Sequence, residues 1–389
     1  MSEGLDRERW LSDLRSRVPE IGADEALARQ QAGGLLIDVR EDNERASGSP
    51  TGALGLSRGF LELRIEQVAP DRAQDILLLC GSGQRSLLAA EALQRMGYAR
   101  VSSVAGGMGA WKTAGLPVTA GALDTDAAER YSRQILLPQV GEAGQARLAE
   151  ARIVVLGAGG LGSPALLYLA AAGVGRITLI DDDRVERSNL HRQVVHNDAR
   201  AGMGKAESAR MTMMALNPRI SVKVVADRLR ADNVEALIRD HDVVIDGADN
   251  FATRYLLAAA TRRLRLPMVY AAIERFTGQV SVFDPRREDS PCYRCLFPEP
   301  PSAADAPNCA EAGVLGVLPG TLGLVQATEA IKLVLDIGQP LVGRLLTYDA
   351  LGMRFRELKL RRDSGCPGCG THAHFEGYSD LERMCAAAI

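Results

Sequence analysis

The run RIVVLGAGGLGSPALLYLAAAGVGRITLIDDD, from Arg152 to Asp183, leaves this chain few folds to choose from. An apolar β-rich stretch stops at a glycine turn. An alanine- and leucine-rich helix follows, and a second β-rich stretch ends in acids. Strand, tight turn, helix and strand in so short a span make a βαβ unit, which requires a parallel sheet. Gly157, Gly159 and Gly162 keep the G-x-G-x-x-G spacing, with Gly160 between them. Such glycines let the turn tighten, the backbone approach phosphates, and the helix pack on the strand. Asp181 ends the second strand, where a carboxylate can accept both ribose hydroxyls. Taken alone, these residues indicate a nucleotide and leave NAD as the default.

The alternation continues on both sides. SVKVVAD, DVVIDG and LPMVYAA read as further strands with helices between them. GQVSVFD, GRLLTYD and MRFRELKL alternate or follow short turns, and read as antiparallel. Upstream, GLLIDV, DILLLC and RVSSVAG read as strands, with ADEALARQQ, SLLAAEALQRMG and GMGAWKTAG as helices. The 389 residues therefore divide into two α/β domains. The smaller spans 20–118. LPVTAGALDTDAAE lacks periodicity, so 119–129 reads as a linker. A Rossmann-like domain with a mostly antiparallel C-terminal extension spans 130–370. Residues 1–20 are charged and read as frayed or helical, and FPEPPSAADAPNCAEAG (297–313) reads as a crossing loop.

Charge and cysteine usage exclude several classes. A net charge of −3 offers no basic field for nucleic acid or an anionic membrane. MSEGLDRERW lacks an apolar core, so no signal peptide is expected, and windows such as PALLYLAAAGVG are too short and Gly-broken to span a bilayer. Seven cysteines, an odd number without an export signal, favour the reducing cytoplasm, where thiols bind metal or do chemistry.

Four motifs carry the chemistry. SNLHRQVVHNDARAGMGKAESA places Asn189, Arg192 and Lys205 after the ribose acid, and two cations there suit a triphosphate better than a nicotinamide. Their alternative is a solvated charge pair. DVVIDGADNFATR presents Asp249 and Asn250 after a strand, where a carboxylate can hold Mg²⁺ against phosphates. The alternative is a helix N-cap before FATRYLLAAA. Cys292-x₂-Cys295 and Cys366-x₂-Cys369 supply four thiolates, which suits structural Zn²⁺. The alternative there is a pair of redox dithiols. His372 and His374 read as solvated, and His191 and His196 as bystanders.

The fourth motif is DILLLCGSGQRS. A cysteine at a strand end, before a glycine loop and a helix N-terminus, gains from inward N–H groups and from the helix dipole; both stabilise a thiolate or persulfide at Cys80. Arg85 adds a formal charge. The alternative is a buried strand-end cysteine beside a glycine turn.

Cys80 to Ser86, the early strand LIDVRE (36–41) and the closing GGMGAWKTAGLPV (106–118) resemble a rhodanese domain. One departure is GSPTGA (48–53), where that family carries a GHIPGA-like run. This resemblance implies sulfur transfer through a Cys80 persulfide, fed by a donor such as a cysteine desulfurase. From about Arg130 to Gly370 the chain resembles the MoeB/ThiF family, relatives of ubiquitin-activating enzymes. RYSRQILLP (130–138) matches that family's opening helix. The resemblance implies that Gly159, Asp181, Asn189, Arg192 and Lys205 bind ATP, that Asp249 holds Mg²⁺, and that the four knuckle cysteines hold Zn²⁺. It also implies that Arg133 reaches the ATP of a second subunit, hence a homodimer. The implied reaction is adenylation of the C-terminal glycine of a ubiquitin-like sulfur carrier ending in Gly-Gly, with the molybdopterin-synthase small subunit favoured and a thiamine-pathway carrier as the alternative. Cys309, in the crossing loop, matches a cysteine that can link covalently to the carrier. Cys385 reads as a packing residue. Two readings from other classes stay open at this point: an NAD-dependent oxidoreductase with a redox cysteine domain, and a non-catalytic scaffold.

Overall fold

A computed structural model describes residues 7–45, 48–119, 123–300, 313–375 and 377–378. The chain forms two compact units, Met1–Ala143 and Gly144–Ile389.

The first unit contains β1 (Glu20–Ile21), β2 (Leu35–Asp38), β3 (Ser49–Pro50), β4 (Leu54–Gly55), β5 (Asp75–Leu79), β6 (Arg100–Val104) and β7 (Val118–Thr119). Five of these form a sheet ordered β1-β6-β5-β2-β4, with every pair parallel. β5 is continuously apolar because both faces are covered. Ile76, Leu78 and Cys80 pack in the core that includes the helices Leu61–Val68 and Gln84–Arg95. Leu77 and Leu79 pack on the other side, with residues of the helices Ala23–Gln31 and Gly107–Thr113. Each fully buried leucine contributes roughly 1.5–3 kcal/mol. β5 is the central strand, so its C-terminal end opens where ligands of parallel sheets bind.

The expected linker, 119–129, carries local structure. Thr119 belongs to β7, which pairs antiparallel with β3. The helix Thr125–Arg130 starts at Asp124, whose side chain accepts from the Ala127 N–H at 2.9 Å. An aspartate before Thr-Asp-Ala-Ala-Glu is an N-cap signal that a search for hydrophobic periodicity passes over.

The second unit contains β8 (Arg152–Leu156), β9 (Arg176–Ile180), β10 (Ser221–Val225), β11 (Val243–Asp246), β12 (Met268–Glu274), β13 (Thr277–Phe283), β14 (Arg344–Asp349) and β15 (Arg354–Lys359). They form one sheet, β10-β9-β8-β11-β12-β13-β14-β15. Pairing is parallel from β10 to β12 and antiparallel from β12 to β15. The expected switch from parallel to antiparallel strands is therefore present. One face buries Val154, Leu156, Val244 and Met268 against Tyr255, Leu256 and Ala260 of the helix Phe251–Arg263. The helices Gly162–Ala172 and Val317–Leu335 pack on each other; the first also meets β8, and the second meets β11, β12 and β13. A Cβ at Gly162 would lie 1.9 Å from the Gly157 carbonyl oxygen, so only glycine lets this helix leave the turn. No helix among the described residues is long and apolar enough to cross a membrane.

Candidate functional sites

A cavity of about 1520 Å³ opens at the carboxyl ends of β8, β9 and β11. Gly157, Gly159, Gly160, Asp181, Arg192, Lys205 and Asp249 all line it. Asp181 sits directly after β9 and accepts from the Ala158 N–H at 2.7 Å and the Asp183 N–H at 2.9 Å. These bonds tie Asp181 to the glycine turn, while burial pushes its carboxyl above the ordinary aspartate range. Lys205 begins the helix Lys205–Leu216 and is almost fully buried. Its Nζ lies 2.8 Å from Oδ2 of the exposed Asp183, so a buried cation is held in a charge pair at the cavity wall. Asp249 is exposed at the β11 end, and its Oδ1 accepts from Asn250 Nδ2 at 3.2 Å. Asn250 also caps the helix Phe251–Arg263, accepting from the Thr253 N–H at 2.9 Å. The cap is Asn250, and the Asp249 carboxylate is left facing the cavity.

Two expected nucleotide residues do not line the cavity. Gly162 serves helix packing. Asn189 accepts from Arg192 Nη2 at 2.6 Å, and so orients a guanidinium that does line it. Arg133 is exposed on the helix Ser132–Ile135 of the first unit.

Three side chains that the sequence reading left without a role support this wall. Gln193 is buried and lines the cavity, and its Oε1 makes no hydrogen bond among the described residues. A buried acceptor without a partner is costly, and a ligand donor would satisfy it. His196 is no bystander. Its Nδ1 lies 2.9 Å from Ser208 Oγ, and its Nε2 lies 3.0 Å from the Ala158 carbonyl oxygen, which braces the turn from behind. Burial lowers its pKa to about 4, so the ring is neutral near pH 7. Arg254 donates from Nη2 to the Ala248 carbonyl at 2.6 Å, and its Nε is 3.5 Å from Asp246 Oδ2. Burial still holds the Asp246 carboxyl above its ordinary range. This clamp fixes the backbone that presents Asp249. The sequence signal for it was the arginine one turn into the helix after DN.

In the first unit, Cys80 follows β5 directly and is 0% exposed. Its Sγ accepts from the Gly83 N–H at 3.1 Å and lies 3.5 Å from Ser86 Oγ, which is supported by Ser103 Oγ at 2.8 Å. The helix Gln84–Arg95 begins one residue after Gly83, so its positive end faces the thiol. A Cβ at Gly107 would lie 2.1 Å from the Cys80 carbonyl oxygen, so glycine is required where the loop meets the next helix. Arg85, expected to add a formal charge, forms a two-bond ion pair with Glu44, at 2.6 Å on each side.

The knuckle cysteines converge. The Sγ atoms of Cys292, Cys295, Cys366 and Cys369 lie within 4.8 Å of one another. Individual separations are 3.6 Å (Cys292–Cys366), 4.0 Å (Cys292–Cys295) and 3.3 Å (Cys295–Cys369). A tetrahedron of thiolates with Zn–S of about 2.3 Å has edges of about 3.8 Å, so the residues fit Zn²⁺. The Asp363 N–H points at Cys295 Sγ and the Gly368 N–H at Cys366 Sγ, which suits ionised sulfur. Hydrogen bonding to Cys295 raises the Cys292 pKa, and hydrogen bonding to Cys292 lowers that of Cys369, the pattern of crowded thiols sharing charge. The single Asp249 carboxylate suits Mg²⁺ held jointly with phosphates. Cys366→Ser is expected to abolish stoichiometric zinc and to cost on the order of 4 kcal/mol of stability, read by metal analysis and thermal melting. Unchanged zinc content would reject this ligand set. Cys309 and Cys385 lie outside the described residues.

Comparison with known proteins agrees with this geometry. A profile of the ThiF family matches residues 131–368, and one of the Rhodanese-like domain matches residues 22–114. The SAMP-activating enzyme E1 of Haloferax volcanii is 53% identical over 267 residues, covering 69% of this chain and 97% of that protein. The Sulfur carrier protein adenylyltransferase of Thermus thermophilus is 50% identical over 260 residues, covering 66% and 96%. The Adenylyltransferase and sulfurtransferase MOCS3 of Drosophila yakuba is 43% identical over 264 residues, covering 68% and 58%. In fold, the crystal structure of E. coli MccB superposes with a TM-score of 0.56 at 20% identity, covering 66% of this chain and 76% of that one. The chain belongs to the ThiF family and carries a rhodanese-like domain ahead of the ThiF region.

Proposed function

We propose that the chain is an adenylyltransferase with a sulfurtransferase domain, acting on the C-terminal glycine of a ubiquitin-like sulfur carrier. The molybdopterin-synthase small subunit is the favoured carrier. One observation supports this reading: a cavity lined by Arg192, Lys205 and the strand-end carboxylate of Asp249 shares its polypeptide with a loop that turns the Gly83 N–H and a helix N-terminus toward Cys80 Sγ. The relatives named for sulfur carriers support the same substrate class.

In the first step a carboxylate oxygen of the carrier attacks the α-phosphorus of ATP. The bond to the bridging oxygen breaks and pyrophosphate leaves with that electron pair. The carboxylate is already ionised near pH 7, so no general base is required. Arg192 and Lys205 offset the charge that develops, and Asn189 holds Arg192 in place. Asp181 takes the ribose, and Asp249 would hold Mg²⁺, which neutralises phosphate charge when bound. Arg133 is assigned to the nucleotide of a second copy. In the second step the terminal sulfur of a Cys80 persulfide attacks the acyl carbon, AMP leaves, and an acyl disulfide forms. The thiolate of Cys309 then attacks the Cys80 sulfur and releases the carrier thiocarboxylate. The Cys80–Cys309 disulfide left behind is reduced by a cellular thiol. The four-cysteine site would hold Zn²⁺ structurally.

The nucleotide assignment has a direct test. ATP with Mg²⁺ at about a hundred times its Kd should stabilise the protein by about 2.7 kcal/mol, a rise of several degrees in Tm. NADH should give no shift. A shift with NADH and none with ATP would return the chain to the oxidoreductase reading.

A further inference from the structure

The charge around Cys80 is arranged in a way the sulfur-transfer reading does not require. Both groups on its Sγ are neutral: the Gly83 N–H and the Ser86 hydroxyl. Two guanidiniums that follow β2, the strand paired with β5, are also matched by carboxylates. Arg40 is buried against Asp38 at 2.6 Å, and Arg45 binds Asp42. Arg85, inside the cysteine loop, is held by both oxygens of Glu44, which lowers the Glu44 pKa and raises that of Arg85. A Cβ built on Gly81 would lie 3.3 Å from Arg85 Nη2 and 3.8 Å from Glu44 Oε1, so the pair lies across the first glycine of the loop. Glu41 steadies Glu44 by donating its backbone N–H to Oε2 at 3.1 Å.

We propose that Glu44 is a specificity-determining residue: by occupying Arg85 it denies small dianionic donors such as thiosulfate a cation at the loop mouth, and leaves Cys80 suited to a persulfide donor. The proposal rests on Cys80 being the sulfur-accepting thiol. Thiosulfate must bring its sulfonate beside the loop while the Cys80 thiolate attacks the outer sulfur. A Cys80–S bond forms, the donor S–S bond breaks, and sulfite leaves with the electron pair. A persulfide delivers its outer sulfur by the same exchange and releases a thiolate, so it needs no anion clamp. Glu44 acts through Arg85 and is therefore a positioning residue. Its side chain is 36% exposed and that of Arg85 is 38%, so solvent screens the pair and the effect is moderate.

The full-length protein is assayed with thiosulfate and cyanide, and separately by mass spectrometry for addition of one sulfur atom to Cys80 from cysteine persulfide. Glu44→Gln keeps the shape and removes the charge. It is expected to lower the KM for thiosulfate about tenfold with kcat unchanged, and to leave persulfide loading unchanged. The gain should shrink at high ionic strength. It should vanish in the Glu44→Gln, Arg85→Gln double variant, which separates charge release from a general loosening of the loop. An unchanged thiosulfate KM in Glu44→Gln, or a gain that survives loss of Arg85, overturns the proposal. Failure of both donors to load wild-type Cys80 overturns the sulfur-carrier reading, and the proposal with it.

Discussion

A Cys80→Ala protein is expected to keep ATP–pyrophosphate exchange near the wild-type rate while thiocarboxylate formation falls by at least about 10³-fold. The asymmetry follows from where the groups sit. Asp181, Arg192, Lys205 and Asp249 line a cavity within the second unit, whereas Cys80 directly follows β5 of the first. Removing a nucleophile eliminates the step that forms its bond, and losses of this size or larger are usual for such residues. The substitution is mild for the fold, since Cys80 is buried among apolar neighbours and only Sγ is removed. Thermal melting should therefore change little. Loss of exchange in this variant would contradict the separation of roles.

The second large effect is expected at Asp249. Asp249→Asn should reduce carrier-dependent exchange by about 10²–10³-fold, the range found when one charge-stabilising group is removed from a preorganised site. Its side chain is exposed, and the helix cap is made by Asn250, so the fold keeps its contacts. Stability should stay within about 0.5 kcal/mol of wild type. Raising Mg²⁺ should restore part of the activity if the carboxylate acts through the ion. Exchange within tenfold of wild type at ordinary Mg²⁺ would remove Asp249 from the site.

The sheet of the second unit was legible because each strand announces itself locally. RIVVL, RITLI and VVID are short apolar runs followed by glycine or acid, and the hairpin strands alternate. The glycine turn and the residues after it were legible for the same reason, since a motif in order carries its own geometry. Side chains that act on other side chains were harder to read. His196 is a lone histidine in sequence, and only the folded chain brings Ser208 and the Ala158 carbonyl to its two ring nitrogens. The partner of Arg85 was not legible, because Glu44 lies forty-one residues away. Arg254 and Gln193 are ordinary polar residues until burial removes their water. The helix Thr125–Arg130 was hidden by length, being too short to show a period.

The most direct test of the account is pyrophosphate chemistry with a purified sulfur carrier. The protein, ATP, Mg²⁺ and labelled pyrophosphate are incubated with the molybdopterin-synthase small subunit, and with the same carrier lacking its last glycine. The account predicts label entering ATP only with the intact carrier, at the wild-type rate in Cys80→Ala and at a rate reduced by about 10²–10³-fold in Asp249→Asn. No exchange with any Gly-Gly-ended carrier of the host, or exchange indifferent to the terminal glycine, would contradict it.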